Sequence, residues 1–266
     1  MIIAVDTGGT KTLIGRFNDG ELTNSVKIPT PKNIYEYIQK IEQHIRDLSD
    51  NQPISTISVA LPGIVKNGVA VWCVNLDWVN LPVKDMISQK FPESRVIIEN
   101  DANLAGLASA RRLDPIPKSC LYVGIGTGIG TALLLNGQLH SALLDCEGGH
   151  MMLEFDGEKQ TWEQLASGRT LQSLFGELSQ NSDPTIWPEV AERINLGLRA
   201  LVPFIQPEVI VIGGGIGTLT NNFSSVLSGL LAEQLPASIA CPKIVPAPFP
   251  EKTTLYGCYD NAVSDS

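Results

Sequence analysis

Short apolar runs broken by glycine- and asparagine-rich turns alternate along the chain with stretches of helical periodicity, the pattern of an α/β protein. Ile2-Ile3-Ala4-Val5 reads as a strand, Asp6-Thr7-Gly8-Gly9-Thr10-Lys11 as a turn, and residues 12–17 as a second strand ended by Asn18-Asp19-Gly20. Thr30-Pro31 reads as a helix start, with threonine as cap and proline in the first turn. Ile34, Ile38, Ile41, Ile45 and Leu48 then follow at three- and four-residue spacing. Residues 54–61 predict a buried strand, and Ile64-Val65 and Val69-Ala70-Val71 predict a hairpin around Asn67-Gly68. A helix over 83–90 precedes the apolar run Val96-Ile97-Ile98. Glu99-Asn100-Asp101 then opens the helix-forming stretch 102–108.

A similar unit begins at Leu121. Leu121 to Ile125, Gly126-Thr127-Gly128-Ile129-Gly130, Thr131 to Leu135 and Asn136-Gly137 repeat the order strand, Gly/Thr turn, strand, glycine turn seen at the N-terminus. The spacing agrees within one residue, which reads as an internal duplication and so as two related domains. The expected division is residues 1–101, completed by a C-terminal helix within 253–266, and residues 102–252. Thr161 with Gln164 has capping-box spacing and puts Glu163 in a first helical turn. Residues 188–205 predict a helix, 208–212 a strand, and 213–217 a glycine loop opening another helix. Lys243-Ile244-Val245 predicts a late strand and 254–263 a last helix, with Ser264-Asp265-Ser266 as a frayed tail.

Composition narrows the possibilities. At 266 residues, 43% hydrophobic and 18% charged, the chain is long enough for two folded domains. A net charge of −9 argues against a nucleic-acid partner, since no basic stripe is available for phosphate backbones. The five cysteines are scattered without zinc-ligand spacing, and no leader segment is evident. Both features lead us to expect a reduced, cytoplasmic protein. Apolar runs are too short to span a bilayer, so no membrane partner is expected.

The polar residues that interrupt apolar elements suggest chemistry. A Gly/Thr turn leading into a hairpin, rather than into a helix, differs from a P-loop or a dinucleotide fingerprint. Its backbone N–H groups still suit phosphates, and Asp6 is placed to hold Mg²⁺ directly or through water. Asn75, Asn100, Asp101, Glu147, His150 and Glu163 supply the donors and acceptors that a polyhydroxylated ligand requires. From its own neighbours alone Asp101 reads as a helix N-cap. Among hydroxyls it is also suited to accept a proton from one that attacks a γ-phosphate.

The motifs Asp6-Thr-Gly-Gly-Thr-Lys11, Leu61-Pro-Gly63, Asn75-Leu-Asp-Trp78, Glu99-Asn-Asp-Ala-Asn103, Gly126-Thr-Gly-Ile-Gly130, Glu147-Gly-Gly-His150, Glu163-Gln-Leu-Ala-Ser-Gly168 and Gly213-Gly-Gly215 span nearly the whole chain. In that order the sequence resembles the ROK family (repressors, open reading frames, kinases). The resemblance implies a two-domain actin-like ATPase, ribonuclease H-like fold closing on a cleft, with phosphoryl transfer from ATP·Mg²⁺ to a hexose, typically at its 6-hydroxyl. It assigns Asp101 as general base, and Gly63, Asn75, Asn100, Glu147, His150 and Glu163 to the sugar. It assigns Gly8, Gly9, Thr10 and Lys11 with Gly126, Thr127 and Gly128 to the phosphates, and Gly213, Gly214 and Gly215 to the adenosine side. A homodimer is common among similar proteins. The winged-helix segment of the family's repressors is not seen, so DNA binding is not expected.

Between His150 and Glu163 the sequence departs from the family. Where most relatives carry a cysteine-rich zinc motif, residues 151–162 are shorter and contain no cysteine, so a metal-free loop without zinc is expected. Two alternatives remain. Short relatives without zinc that use polyphosphate suggest a different donor, which the small Lys+Arg count of 19 disfavours. A non-catalytic sugar sensor is opposed by the intact Asp101 and both phosphate turns.

Overall fold

The computed structural model describes residues 1–264; residues 265 and 266, assigned above to a frayed tail, lie outside the described residues. In chain order the strands and helices are β1 (Ile2–Thr7), β2 (Lys11–Asn18), β3 (Glu21–Pro29), α1 (Ile34–Ser49), β4 (Thr56–Leu61), β5 (Ile64–Lys66), β6 (Val69–Cys73), β7 (Trp78–Leu81), α2 (Val83–Lys90), β8 (Arg95–Asn100) and α3 (Asp101–Arg111). They continue as β9 (Ser119–Ile125), β10 (Ile129–Leu135), β11 (Gln138–Leu139), β12 (Met152–Phe155), β13 (Glu158–Thr161), α4 (Trp162–Ala166), α5 (Gly168–Phe175), α6 (Trp187–Ile205), β14 (Val209–Gly213), α7 (Gly214–Gly217), α8 (Thr220–Gln234), β15 (Lys243–Pro246) and α9 (Thr253–Ser264). The chain forms two compact units, one of Met1–Ala108 with the chain from Lys252 onward, the other of Ser109–Glu251.

The first unit is built on the sheet β3-β2-β1-β4-β8, antiparallel from β3 to β1 and parallel from β1 to β8. On one face, isoleucines of α1 at helical spacing (Ile34, Ile38, Ile41, Ile45) and Val83 and Ile87 of α2 pack on Ile3, Val5, Ile57 and Val59. On the other face, Leu255 and Cys258 of α9 and Leu104 of α3 cover Ala4, Phe17 and Ala60. A Cβ at Gly257 would collide with the Leu104 carbonyl, so α9 and α3 touch backbone to backbone at that point. A small second sheet, β5-β6-β7, carries the expected hairpin, with Asn67 and Gly68 both at positive φ as its turn requires.

The second unit repeats the design. Its sheet β11-β10-β9-β14-β15 has the same antiparallel-then-parallel order, so the duplicated sequence pattern corresponds to a duplicated topology. Its core joins Leu121, Val123, Ile210 and Ile212 to α4, α6 and α8 through Trp162, Ile194, Leu198, Phe223 and Leu227.

Three expectations need correction. Helix α1 starts at Ile34, not at Thr30-Pro31. Asn33 is its cap and accepts from the Tyr35 and Glu36 N–H groups at 3.0 and 3.2 Å. Thr30 instead extends the edge of the sheet, where its hydroxyl lies 2.8 Å from that of Thr12 and donates to the Gly8 carbonyl at 2.8 Å. Strand β3 was not foreseen as a full strand: it is an edge with Ile28 as its only buried residue, so the period-2 signal is nearly absent. Finally, residues 151–162 are mostly a hairpin, β12–β13, turned at Asp156-Gly157, both at positive φ.

Candidate active site

In the first unit, β1 ends at Asp6-Thr7 and the chain reverses through a tight turn in which the Gly8 N–H donates to the Lys11 carbonyl at 2.9 Å. The N–H groups of Gly9 and Thr10 have no hydrogen-bond partner among the described residues, which leaves two adjacent donors at the tip. Lys11 is exposed at the start of β2. A Cβ at Gly9 would lie 3.0 Å from the Cβ of Asn75, so the Asn75 loop rests against this turn. That loop is anchored by Lys32, whose ammonium donates to the Asn75 carbonyl, and by the Trp78 indole N–H, which donates to the Lys32 carbonyl at 2.7 Å.

The Asp6 carboxyl is partly buried beneath the turn. Burial pushes its pKa up to about 6, while the Thr254 hydroxyl of α9 hydrogen-bonds to it and pulls the other way. No cationic side chain offsets that burial. A desolvated carboxylate beside free backbone donors suits a divalent cation held mainly by phosphates, so the residues fit Mg²⁺ with Asp6 as the protein-side anion. Among the described residues no group of three or more His, Cys, Asp or Glu side chains could hold a metal by itself. Thr254 carried no sequence signal, because its partner lies at the opposite end of the chain.

Asn100 and Asp101 sit where β8 becomes α3. Asn100 is the residue that caps the helix: its Oδ1 accepts from the Asn103 N–H at 3.0 Å, and its Nδ2 donates to the Gly63 carbonyl at 2.9 Å. Glu99 fixes the same corner, as its Oε1 accepts from Asn100 N–H at 2.7 Å and from Asn103 Nδ2 at 3.0 Å. Asp101 follows as the first residue of α3, and its Oδ1 accepts from the adjacent Ala102 N–H at 2.8 Å. Gly63 has φ +85°, and a Cβ there would strike the Trp72 carbonyl, so glycine is required for this loop to close on β6. Cys73 follows on β6. Burial and then the nearby Asp101 charge push its thiol up to about 12, so it is an inert neighbour of the site rather than a nucleophile. Gly63, Asn100 and Asp101 therefore form one corner, and Asn75 and Gly9 another, both within the first unit.

The second unit has its own glycine turn and acidic group. Gly126 N–H donates to the Gly128 carbonyl at 2.9 Å, and the Gly168 N–H, at the start of α5, donates to the Gly126 carbonyl at 2.7 Å. The N–H groups of Thr127 and Gly128 have no hydrogen-bond partner among the described residues. Gly214, at φ +72°, packs on the backbone of Ile125, so the 213–215 segment adjoins this turn; it is not the expected loop but the end of β14 running straight into α7. The Glu147-Gly148-Gly149-His150 segment is pinned to β10: Gly148 N–H donates to the Thr131 hydroxyl at 2.9 Å, and a Cβ at Gly149 would collide with the Ile129 carbonyl. Burial raises the Glu147 pKa; His150 lowers it, and Glu163 and Asp145 raise it, so Glu147, His150 and Glu163 share one electrostatic neighbourhood. Thr131 and Asp145 were not singled out from sequence, since a threonine in a strand and an acid in a loop carry no distinguishing pattern.

Glu163 is placed as the capping box demands. Thr161 Oγ1 accepts from Gln164 N–H at 3.2 Å and Gln164 Oε1 accepts from Thr161 N–H at 2.8 Å. Its carboxylate accepts from Ile129 N–H at 3.0 Å, a contact with the glycine turn that the sequence did not suggest. The β12–β13 hairpin leads into this helix and is held by the Arg193 guanidinium, 5.0 Å from the Phe155 ring centroid.

Residues 2–262 match the model of the ROK family, and the chain belongs to that family. Kanosamine kinase of Amycolatopsis mediterranei is 26% identical, over 96% of this chain and 93% of its own. Polyphosphate glucokinase of Mycobacterium tuberculosis is 30% identical over 64% of this chain and 60% of its own. The ROK family glucokinase of Streptomyces griseus, solved with glucose and AMPPNP, superposes with a TM-score of 0.83 at 22% identity, covering 99% of both chains. The fold is the two-domain actin-like ATPase fold of the ROK sugar kinases. Among the described residues no helix is long and apolar enough to cross a membrane.

Proposed function

We propose that this protein transfers the γ-phosphoryl group of ATP to the 6-hydroxyl of a hexose, with Asp101 as general base. It is a sugar kinase of ROK type. The observation that carries the finer reading is the corner at Asn100 and Asp101. Asn100 caps the helix and makes the link to Gly63, and the Asp101 carboxylate beside it stands at the C-terminal end of β8, where open α/β sheets bind ligands.

Asp101 accepts the hydroxyl proton as the sugar oxygen bonds to the γ-phosphorus and the bond to the β–γ bridging oxygen breaks, releasing ADP. Gly63, Asn75, Asn100, Glu147, His150 and Glu163 bind and orient the sugar hydroxyls. Gly8, Gly9, Thr10 and Lys11, with Gly126, Thr127 and Gly128, offer donors to the phosphates, and Gly213 to Gly215 line the adenosine side. Asp6 would hold Mg²⁺, directly or through water; bound there, the ion neutralises phosphate charge. Action in the cytoplasm accords with five free cysteines among the described residues.

Polyphosphate is the second reading of the donor, favoured by the polyphosphate glucokinase relative and opposed by the net charge of −9. A panel of hexoses and aminohexoses, assayed with ATP·Mg²⁺ and separately with polyphosphate·Mg²⁺, tests the proposal. Phosphorylation of at least one hexose with ATP supports it. Turnover with polyphosphate alone would replace the donor, and no turnover with either would overturn the reading.

A further inference from the structure

We infer that Glu163 is a positioning residue for the phosphate turn of the second unit, holding the Gly128–Ile129 peptide so that the adjacent backbone donors point at the phosphates. This rests on the reading of Gly126–Gly128 as a phosphate turn, and it adds a second role to an acid otherwise assigned to the sugar.

The geometry is specific. Glu163 Oε2 accepts from the Ile129 N–H at 3.0 Å. The same oxygen occupies the space a Cβ at Gly128 would need, so a side chain at 128 would displace the Glu163 carboxylate from this position. The other oxygen lies 3.6 Å from that Cβ position. The Glu147 carboxyl meanwhile feels the charge of Glu163, so the acid that holds the turn also lies in the electrostatic neighbourhood of Glu147.

Glu163 is not a loose surface acid. The capping box fixes its helical turn, and Trp162 N–H donates to the Met151 carbonyl at 2.9 Å. The Trp162 ring is buried, packed where a Cβ at Gly197 would collide with it. Five residues on, Gly168 N–H holds the Gly126 carbonyl at 2.7 Å. The segment 163–168 therefore grips the turn at both ends, by backbone at Gly126 and by carboxylate at Ile129. Thr127 and Gly128 lie between the two grips. Without the carboxylate, the Gly128–Ile129 peptide keeps the bond from Gly126 N–H to its carbonyl but loses the one that holds its N–H, and its neighbours are less firmly directed.

The test is binding without sugar. Calorimetry with AMPPNP·Mg²⁺, and with tripolyphosphate·Mg²⁺ as a second probe, would compare wild type, Glu163→Ala and Glu163→Gln, with amide exchange at Ile129 followed in parallel. We expect Glu163→Ala to weaken the probe that binds by roughly tenfold, the scale of a lost hydrogen bond to a charged group, and to speed exchange at Ile129. Glu163→Gln keeps a carbonyl acceptor and should stay within about threefold of wild type. A merely structural role would give no such rescue. If Glu163→Ala binds the probe as wild type does, or if Glu163→Gln falls as far as Glu163→Ala, the inference is wrong while the ATP reading stands. If the pattern appears with tripolyphosphate alone, the inference stands and the ATP reading falls. If neither probe binds wild type, both fall.

Discussion

The Asn100 side chain donates to the Gly63 carbonyl at 2.9 Å while accepting from the Asn103 N–H at 3.0 Å, so one amide joins the Gly63 loop to the helix that begins with Asp101. Two adjacent residues thus divide the work: Asn100 fixes the corner, and Asp101 is presented by it.

Replacing Asn100 with alanine removes both bonds. Loss of the cap should cost about 1 kcal/mol of stability, read as a lower urea midpoint, and the freed Gly63 loop should raise the sugar KM more than it lowers kcat. An unchanged urea midpoint and an unchanged sugar KM would show that the amide holds nothing together.

Glu147 gives a pH dependence. Burial, with Glu163 and Asp145 adding and His150 opposing, holds its carboxyl above the ordinary carboxylate range. The native state therefore binds this proton more tightly than the unfolded chain. Stability is favoured below the ordinary carboxylate pKa and declines as pH rises through the window up to the native value. If Glu147 binds the sugar as proposed, the sugar hydroxyls donate to the ionised form, and the sugar KM should climb as pH falls through that native value. Glu147→Gln should lose this limb of the KM profile; a mutant with the wild-type profile would assign the titration elsewhere.

The hairpin β12–β13 fills the segment between His150 and Glu163, and Arg193 holds it through the Phe155 ring and a bond from its Nε to Glu189 at 3.0 Å. Arg193→Ala should destabilise the second unit by roughly 1–2 kcal/mol, from the lost cation–π contact and stem packing. It should also raise the sugar KM through the displaced entry into α4. Thermal unfolding with and without sugar reads both effects, and a mutant identical to wild type in each would remove the hairpin from the account.

Close packing of α9 on α3 predicts a large effect from a small change. Gly257→Ala places a methyl against the Leu104 carbonyl, two turns at most from the N-terminal cap of α3. Overpacking of this kind costs roughly 1–3 kcal/mol, and chemical denaturation measures it. A cost under about 0.5 kcal/mol, the range of a neutral surface change, would mean that the helices separate freely.

Much of this was legible in the sequence, for physical reasons. Buried strands such as β4 and β8 and the isoleucine stripe of α1 announce themselves by periodicity, and Asn67-Gly68 by its turn chemistry. Strand β3 was hidden because an exposed edge needs few apolar residues. The false helix start at Thr30 came from a valid local rule overridden by tertiary bonds to Gly8 and Thr12. In the site, residues in glycine-punctuated motifs stood out, whereas Thr254 and Thr131 matter only through partners distant in sequence. The contact of Glu163 with Ile129 was invisible for the same reason, since a first-turn acid reads locally as a helix-dipole residue.

The most direct measurement of the central claim is the turnover of Asp101→Asn with ATP·Mg²⁺ and the best hexose of the panel, beside the binding of that sugar to the same mutant. The account predicts that kcat falls by at least about a hundredfold, the lower end of general-base contributions, while the folded state and sugar binding persist. Turnover near the wild-type rate would show that another group takes the proton.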